Sequence, residues 1–319
     1  MARSLEAVLG DVLPQLRYLP SIRRVRVRLG PQLVADSTRA VLVWEPMRIV
    51  ASYALPAVDL RAELVPAEAG PPPTYAAVGF GENSPPLLDP SVPFAVHTAD
   101  GHPLTVLLGE SRAESAAYAL DDLDLDGYVV LDFDAFDWFE EDQPLVGHPR
   151  EPLHRIDVCP SSRTVRIEYE GTVLAETNQT RLLFEGTFPM ARYYLPRDAV
   201  RVPLKPGTLR TTCAYKGHAT HWTVEAEGLR LPDIAWSYER PEPDAIPVAG
   251  YLSFYTERLD VYVDGGLVPR VRTPWSDDQP DSSGRPVGGG AVDQTGSASS
   301  GSTEGARPDP VAQQPQPGV

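Results

Sequence analysis

Alternation of apolar and polar residues along the chain predicts a mainly β protein. The segment from Val25 reads VRVRL, that from Val165 reads VRIEYEG, and that from Leu259 reads LDVYVDGG. Each alternates as a strand with one buried face does. Such short strands, interrupted by glycines and by 34 prolines, argue against long helices. One helix is expected, between Leu5 and Leu16, where apolar residues recur at helical spacing.

The body of the chain repeats itself. LVADSTRAVLVWE (Leu33–Glu45) lies over VLAETNQTRLLFE (Val173–Glu185) with an offset of 140 residues. The same offset lays Ser52–Pro56 on Arg192–Pro196, and GYVVLDF matches GYLSFYT with an offset of 123. We therefore expect two copies of one unit of about 100 residues.

These landmarks divide the chain into five segments. We expect an N-terminal helical segment (1–20), a first β domain (21–137), a joint (138–160), a second β domain (161–270) and a disordered acidic tail (275–319). The tail is rich in Gly, Ser, Pro and Gln, so it cannot bury enough apolar surface to offset its ordering entropy. It carries six acidic and two basic residues, which leaves −12 of the total charge of −16 on the body.

Composition narrows the range of partners. The chain has 28 Lys+Arg against 44 Asp+Glu, so nucleic acids and anionic membranes, which bind basic surfaces, are not expected partners. Cys159 and Cys213 are too few for a four-thiolate zinc site or a disulfide scaffold. No apolar run approaches the roughly 20 residues of a transmembrane helix, and the N-terminus lacks the apolar stretch of a signal peptide. A soluble, cytoplasmic protein without a metal or cofactor is expected.

The densest cluster of reactive side chains is CAYKGHATHW, which begins at Cys213. If the whole stretch is a strand, Cys213, Tyr215 and Gly217 lie on one face and Lys216 and Trp222 on the other. Gly217 has no side chain, so it would let backbone or ligand approach closely.

Lys216 has two interpretations. A desolvated lysine has a depressed pKa and can act as a base or a Schiff-base nucleophile; alternatively, Lys216 pairs with Glu185 and holds two strands together. A strand would separate Cys213 from Lys216, so a core role for this thiol is favoured over catalysis. It would also point His218 and His221 in opposite directions, which argues against a metal site.

Two acidic segments invite functional interpretations that the sequence does not favour. DLDLDGYVVLD resembles a calcium-binding loop, but Phe133 stands where that loop needs Glu, so a solvated turn is favoured. The joint places Glu140 and Glu141 near His148 and His154, which could serve acid–base chemistry. Docking of the two domains by salt bridges is the favoured role of this segment.

Several elements of the second copy, in order, resemble a known family. GTVLAET, LLFEG, RYYLPRDAVR, TTCAYKGHATHWTV, AWSYERP and AGYLSFY resemble DUF427, a domain of unknown function. The joint from Trp138 to Val158 is similar to the linker of a tandem form found mainly in actinobacteria. The resemblance covers about residues 20–270. The first copy is degenerate, and TYAAVGFGENSPP is expected where the second copy has the Cys213–Lys216–Gly217 cluster.

The resemblance implies a small fold of two packed β-sheets, of the Mss4-like or β-tent type. Related proteins hold a structural zinc on four cysteines, which this chain lacks. The family is sometimes labelled nucleotidyltransferase, but the chain has neither a Gly-Ser followed by paired aspartates nor a phosphate-binding Gly-rich loop.

Aromatic residues of the second copy predict a ligand pocket. Seven match the family's motif positions: Tyr193, Tyr194, Tyr215, Trp222, Trp236, Tyr238 and Tyr251. A small β domain can use a few of these rings as core, but aromatic walls with an interleaved lysine also suit a flat or anionic small molecule. The pocket is expected to be built from Glu185, Tyr194, Tyr215, Lys216, Gly217, Trp222, Trp236 and Tyr238. Binding of a small polar or anionic ligand is the leading hypothesis. The alternatives are an enzyme with Lys216 and Glu185 as catalytic residues, and a scaffold whose acidic surface recruits other proteins.

Overall fold

The computed structural model describes residues 2–68, 70, 73–79, 85–186 and 188–276, and these form two halves of antiparallel β-sheet. The first half contains β1 (Arg17–Pro20), β2 (Val25–Leu29), β3 (Gln32–Ser37), β4 (Val41–Trp44), β5 (Ser52–Pro56), β6 (Glu63–Pro66), β7 (Gly101–Leu108), β8 (Ser111–Leu120), β9 (Tyr128–Leu131), β10 (Asp137–Glu140) and β11 (Gln143–Pro144). The second contains β12 (Ile156–Ser161), β13 (Val165–Tyr169), β14 (Thr172–Thr177), β15 (Thr180–Glu185), β16 (Arg192–Leu195), β17 (Leu204–Cys213), β18 (Gly217–Ala226), β19 (Leu229–Ser237), β20 (Leu252–Phe254), β21 (Asp260–Val263) and β22 (Gly266–Val268). The helical elements are α1 (Leu5–Val12) and 3-10 helices at Ala57–Asp59, Leu123–Leu125, Arg197–Ala199 and Pro243–Val248.

The two halves share one topology. In the first half, a seven-stranded sheet runs β1-β4-β5-β9-β8-β7-β6 and a four-stranded sheet runs β11-β10-β2-β3. The second half has a seven-stranded sheet β12-β15-β16-β20-β19-β18-β17 and a four-stranded sheet β22-β21-β13-β14. Both orders are those of the first half with eleven added to each strand number. The mainly β fold predicted from alternation is confirmed, and the repeat in sequence is also a repeat in sheet topology.

Each seven-stranded sheet has an inner face, which packs against the four-stranded sheet of its half, and an outer face. In the first half, Val25 and Val27 of β2 share one apolar cluster with Leu55, whereas Ala54 and Val130 belong to a separate cluster on the outer face. Both faces are therefore covered, and a buried residue of this sheet need not belong to the sandwich core.

The N-terminal helix is shorter than predicted. It ends at Val12, and Pro14, which has no amide hydrogen, cannot donate a hydrogen bond that would continue the helix. The Ser4 hydroxyl caps its start by accepting a hydrogen bond from the amide of Ala7. The prediction that residues 1–20 are helical is wrong at its end, where β1 pairs with β4 in the first sheet. No helix in the described ranges is long and apolar enough to cross a membrane.

The predicted joint is also shorter than expected. Strand β10 pairs with β2, so Trp138 is buried in the core of the first half. Strand β12 pairs with β15 and belongs to the second half, which leaves residues 145–155 as the connection.

The second half continues past residue 270. Thr273 is fully buried, and the ring of Trp275 packs against that of Phe188, so the expected tail does not begin at Trp275. The predicted disorder of the remaining tail falls on residues 277–319, which lie outside the described residues.

Candidate functional site

The stretch CAYKGHATHW is a hairpin rather than a continuous strand. Strand β17 ends at Cys213, β18 begins at Gly217, and these two residues pair across a three-residue turn. The amide of Lys216 donates to the carbonyl oxygen of Cys213 at 3.3 Å, and Gly217 adopts a φ of +90°, a conformation that favours glycine. The backbone at Arg240 and Glu242 passes close to Gly217, so its missing side chain makes room for backbone.

The turn brings Lys216 to Glu185. The Lys216 ammonium donates to Glu185 Oε2 at 2.6 Å, and His154 Nε2 lies 3.2 Å from Glu185 Oε1. Only 13% of the lysine side chain and 17% of the glutamate side chain are exposed. The structural pairing considered from the sequence is therefore present, and a third residue from the connecting segment completes it.

Both members of this pair are charged at neutral pH. Burial alone would lower the pKa of Lys216, but the nearby Cys213 and Glu185 outweigh that effect and hold it above its usual value. Burial would likewise raise the pKa of Glu185, but Lys216 and His154 hold it well below its usual range. The arrangement is an ion pair with a hydrogen-bonded histidine, and it keeps the lysine protonated.

Cys213 lies beside Lys216, contrary to the expectation from strand alternation. The turn reverses the chain between them, so the sulfur is near enough to influence the ammonium electrostatically. The thiol is free and only partly buried. The prediction that this thiol and the lysine lie on opposite faces is wrong, because the strand ends at Cys213.

Three predicted aromatic residues lie on the outer face near this ion pair. The Trp236 indole donates to the Tyr194 hydroxyl at 3.1 Å, and the two rings pack edge to face. Tyr194 and Tyr238 are almost completely buried, and Tyr194 lies close enough to Lys216 for the two groups to interact electrostatically. Burial raises the pKa of Tyr194 to about 12, so its hydroxyl stays protonated. Of the predicted centre of the pocket, Lys216 bonds Glu185 and Trp236 bonds Tyr194. Both rings belong to the buried apolar cluster of this half.

Tyr215, at the tip of the hairpin, contacts the connecting segment. Its hydroxyl accepts from the amide of Glu151 at 3.0 Å. Its ring packs against those of His148 and His154, with centroid distances of 5.8 and 4.4 Å. Arg150 lies 5.7 Å from the same ring and pairs with Asp244 at 2.6 Å.

Trp222 does not belong to this cluster. It pairs with Ala235 on the inner face, donates to Ser237 Oγ at 2.9 Å and carries Arg197 4.4 Å above its ring. The histidines predicted to face apart do so. His218 is exposed and bonds Thr212, whereas His221 is buried with its Nε2 3.2 Å from the Tyr255 hydroxyl.

A second buried ion pair was not predicted from the sequence. Arg192 and Glu257 form two hydrogen bonds of 2.7 Å each, and Thr273 donates to the same carboxylate at 2.8 Å. The guanidinium lies against the rings of Trp236 and Trp275. The available signal was an arginine two residues before Tyr194, on the same face of its strand. No local pattern indicated its partner 65 residues away.

The two acidic segments have structural roles. Asp122 Oδ1 accepts from the amide of Asp124 and caps a 3-10 turn. Glu140 lies in β10, where it accepts from the Tyr53 hydroxyl at 2.6 Å and pairs with Arg23. Within the described ranges, no three His, Cys, Asp or Glu side chains are grouped to hold a metal ion.

The register of the sheets identifies the first-copy counterparts of the site. A bulge recurs in both copies: the Thr105 hydroxyl accepts from the amide of Ser115, and that of Thr223 from Asp233, each at 3.1 Å. Ser115 and Asp233 also share a φ near +50°. Strands β7 and β8 therefore map onto β18 and β19 with an offset of 118.

With these offsets, the counterparts of Glu185, Arg192, Tyr194, Tyr215, Lys216, Trp236 and Tyr238 are Glu45, Ser52, Ala54, His97, Thr98, Tyr118 and Leu120. The expected counterpart, TYAAVGFGENSPP, is therefore wrong. That stretch precedes the true counterpart in the long connection between β6 and β7, and residues 80–84 of it lie outside the described residues.

Comparison with known proteins identifies the second half only. The family model described as "Domain of unknown function (DUF427)" matches residues 157–265. No curated protein matches the chain.

Proposed function

We propose that the half of the chain that contains residues 157–265, which match the DUF427 family model, binds a small polar or anionic ligand on the outer face of its seven-stranded sheet. Lys216 supplies the charge that attracts the ligand, and Glu185 orients the lysine. Tyr194, Trp236 and Tyr238 supply the aromatic walls.

The difference between the two copies carries this proposal. Buried ion pairs are seldom more stabilising than well-packed apolar residues, and the first copy builds the same sheet with Thr98 in place of Lys216 and Ser52 in place of Arg192. There the outer face is an apolar cluster that includes Ala54, Leu120 and Val130. The first copy keeps a glutamate and a ring at Glu45 and Tyr118. The fold does not require the lysine or the rings of Tyr194 and Tyr238, which supports a role in recognition.

The choice of lysine supports the same role. The chain contains 28 cationic residues, and only Lys205 and Lys216 are lysines. Arginine is better suited to a fixed pair with a carboxylate, because its planar fork makes two parallel hydrogen bonds; the chain uses Arg192 for that purpose with Glu257. A lysine is a point charge on a flexible stem, so it can change partners when an anion arrives.

The raised pKa of Lys216 favours binding over catalysis by this residue. A base or a Schiff-base nucleophile needs a neutral amine near pH 7, whereas Cys213 and Glu185 keep this amine protonated. Tyr215 and Gly217 form the tip beside the lysine. Trp222 lies on the opposite face and is not part of the proposed site.

A thermal-shift screen of metabolites and nucleotides tests the proposal. A ligand at about 100 times its dissociation constant should add roughly 2.7 kcal/mol to the stability of the protein. The shift should persist in Lys205→Met and disappear in Lys216→Met, each compared with its own ligand-free midpoint. Lys205 is the matched control because it is exposed and paired with Glu225 at 2.9 Å.

Two outcomes would contradict the proposal. A shift that survives Lys216→Met would place the ligand elsewhere. The absence of any shift across the library would favour the scaffold hypothesis.

A further inference from the structure

Residues 147–155, here called the strap, cover the proposed site. The strap contacts the hairpin tip through its two histidine rings and through the amide of Glu151, which donates to the Tyr215 hydroxyl. It also reaches Glu185 through His154. These contacts place the strap over the ion pair, whose lysine keeps 13% of its side-chain surface exposed.

The strap is held mainly by polar contacts. It contains no regular secondary structure, and its one large aliphatic side chain, Leu153, is 80% exposed. Pro149 is its one buried residue. Segments with little buried apolar surface open at much lower free energy than the whole domain unfolds. The hairpin beneath it is different, because β17 and β18 pair along most of their length. Access to the lysine is therefore easier through the strap than through the sheet.

Gly147 sets how closely the strap approaches the hairpin. Its φ is +76°, and a Cβ built on it would lie 3.3 Å from the amide nitrogen of Ala214. A side chain at this position would push the strap away from the turn. Gly171, in the turn between β13 and β14, has a similar φ of +79°, but a Cβ built on it would have no atom within 4 Å. Alanine at either site produces the same backbone strain, but only alanine at 147 produces the contact.

We infer that the strap is a gate that opens to admit ligand to Lys216 and closes over it through His148, Glu151 and His154. The gate would control access to the site, and its biological meaning rests on the proposed function. Whether opening of the strap limits access to the Lys216 amine can be measured without any ligand.

Amine acetylation of the intact protein, followed by peptide mass spectrometry, measures this access. Lys205 and Lys216 are the only lysines, so Lys205 serves as an internal standard in each molecule. In the unmodified sequence, Lys216 should react more slowly than Lys205. Gly147→Ala should raise the ratio of the Lys216 rate to the Lys205 rate by about five- to tenfold, since labelling follows the population of the open state. Gly171→Ala should leave it unchanged.

Tyr215→Phe provides a second test that does not depend on backbone strain. It removes the acceptor for the Glu151 amide and keeps the ring, so the same ratio should rise about fivefold, the expected effect of one hydrogen bond. An unchanged ratio in both Gly147→Ala and Tyr215→Phe would overturn the gate, and so would wild-type Lys216 reacting as fast as Lys205. A gated Lys216 in a protein that no library compound stabilises would leave the gate standing and reject the proposed function.

Discussion

Removal of either charge of the Lys216–Glu185 pair should destabilise the second half strongly. Lys216→Met leaves the Glu185 carboxylate without its ammonium partner, and breaking a buried pair costs about 3–5 kcal/mol. The two side chains retain 13% and 17% exposure, and His154 remains beside the carboxylate, so we expect the lower end, about 3 kcal/mol. Glu185→Gln leaves the ammonium without its carboxylate and should cost a similar amount.

The double variant Lys216→Met/Glu185→Gln removes both charges, so neither remains buried alone. We expect it to cost about 4 kcal/mol instead of the sum of about 6, a coupling energy of about 2 kcal/mol. Urea unfolding followed by tryptophan fluorescence measures these values. Trp222, Trp236 and Trp275 report on the second half of the chain.

The exposed pair Lys205–Glu225 is the matched control. Its side chains are 64% and 42% exposed, and exposed pairs contribute about 0–1 kcal/mol. The same cycle, Lys205→Met and Glu225→Gln, should give a coupling energy below about 0.5 kcal/mol. Additive costs at Lys216 and Glu185, with a coupling energy as small as that of the control, would refute the electrostatic account of this site.

Three further predictions concern buried groups elsewhere in the protein. Burial lowers the pKa of His221 to about 4, so the stabilisation from its neutral ring is fully present above about pH 6.5. The free energy of unfolding should fall by up to about 3 kcal/mol as the pH drops to about 4. His221→Gln should flatten that part of a plot of melting temperature against pH. Burial raises the pKa of Asp132 to about 6, so the ionised form opposes folding at neutral pH; Asp132→Asn should stabilise by about 1–3 kcal/mol at pH 7.5, and a gain that persists below pH 4 would contradict this cause. Trp275→Ala should cost about 2 kcal/mol in urea unfolding, because the ring packs against Arg192 and Phe188; an unchanged midpoint would mean that the folded half ends before this residue.

The sequence predicts the sheets well because strand alternation and the offset of 140 are local signals. Val25 and Val165 begin strands where the pattern says they do. The same rule fails between Cys213 and Gly217, because alternating residue types continue through a three-residue turn. Gly217 was the available signal for that turn, because its φ of +90° favours glycine. The close approach expected there is made by the backbone at Arg240 and Glu242. The pairing of Lys216 with Glu185 was foreseen as one alternative.

Contacts made by the connecting segment and by the chain end were not predictable in the same way. His154 reaches Glu185 from a stretch without regular structure, and no periodicity encodes such a contact. Glu257 pairs with Arg192 over 65 residues, and Thr273 joins them from beyond the last strand. These long-range polar contacts depend on the assembled fold. The residues of the outer face could therefore be predicted, but the contacts that the connecting segment and the chain end make with them could not.

The glutamate at the centre of the proposed site occurs in both copies, and its two environments favour the second copy as the proposed binding site. Glu45 accepts from the amides of Thr98 and Ala99 at 2.7 and 3.1 Å and lies 2.9 Å from His97 Nδ1. Backbone amides cannot move away without distorting the chain, so that carboxylate is permanently capped. Glu185 is satisfied by a lysine side chain and a histidine, both of which can rotate. The same position in the same fold thus holds a fixed charge in one copy and an exchangeable one in the other, and only an exchangeable ion pair can admit a competing anion.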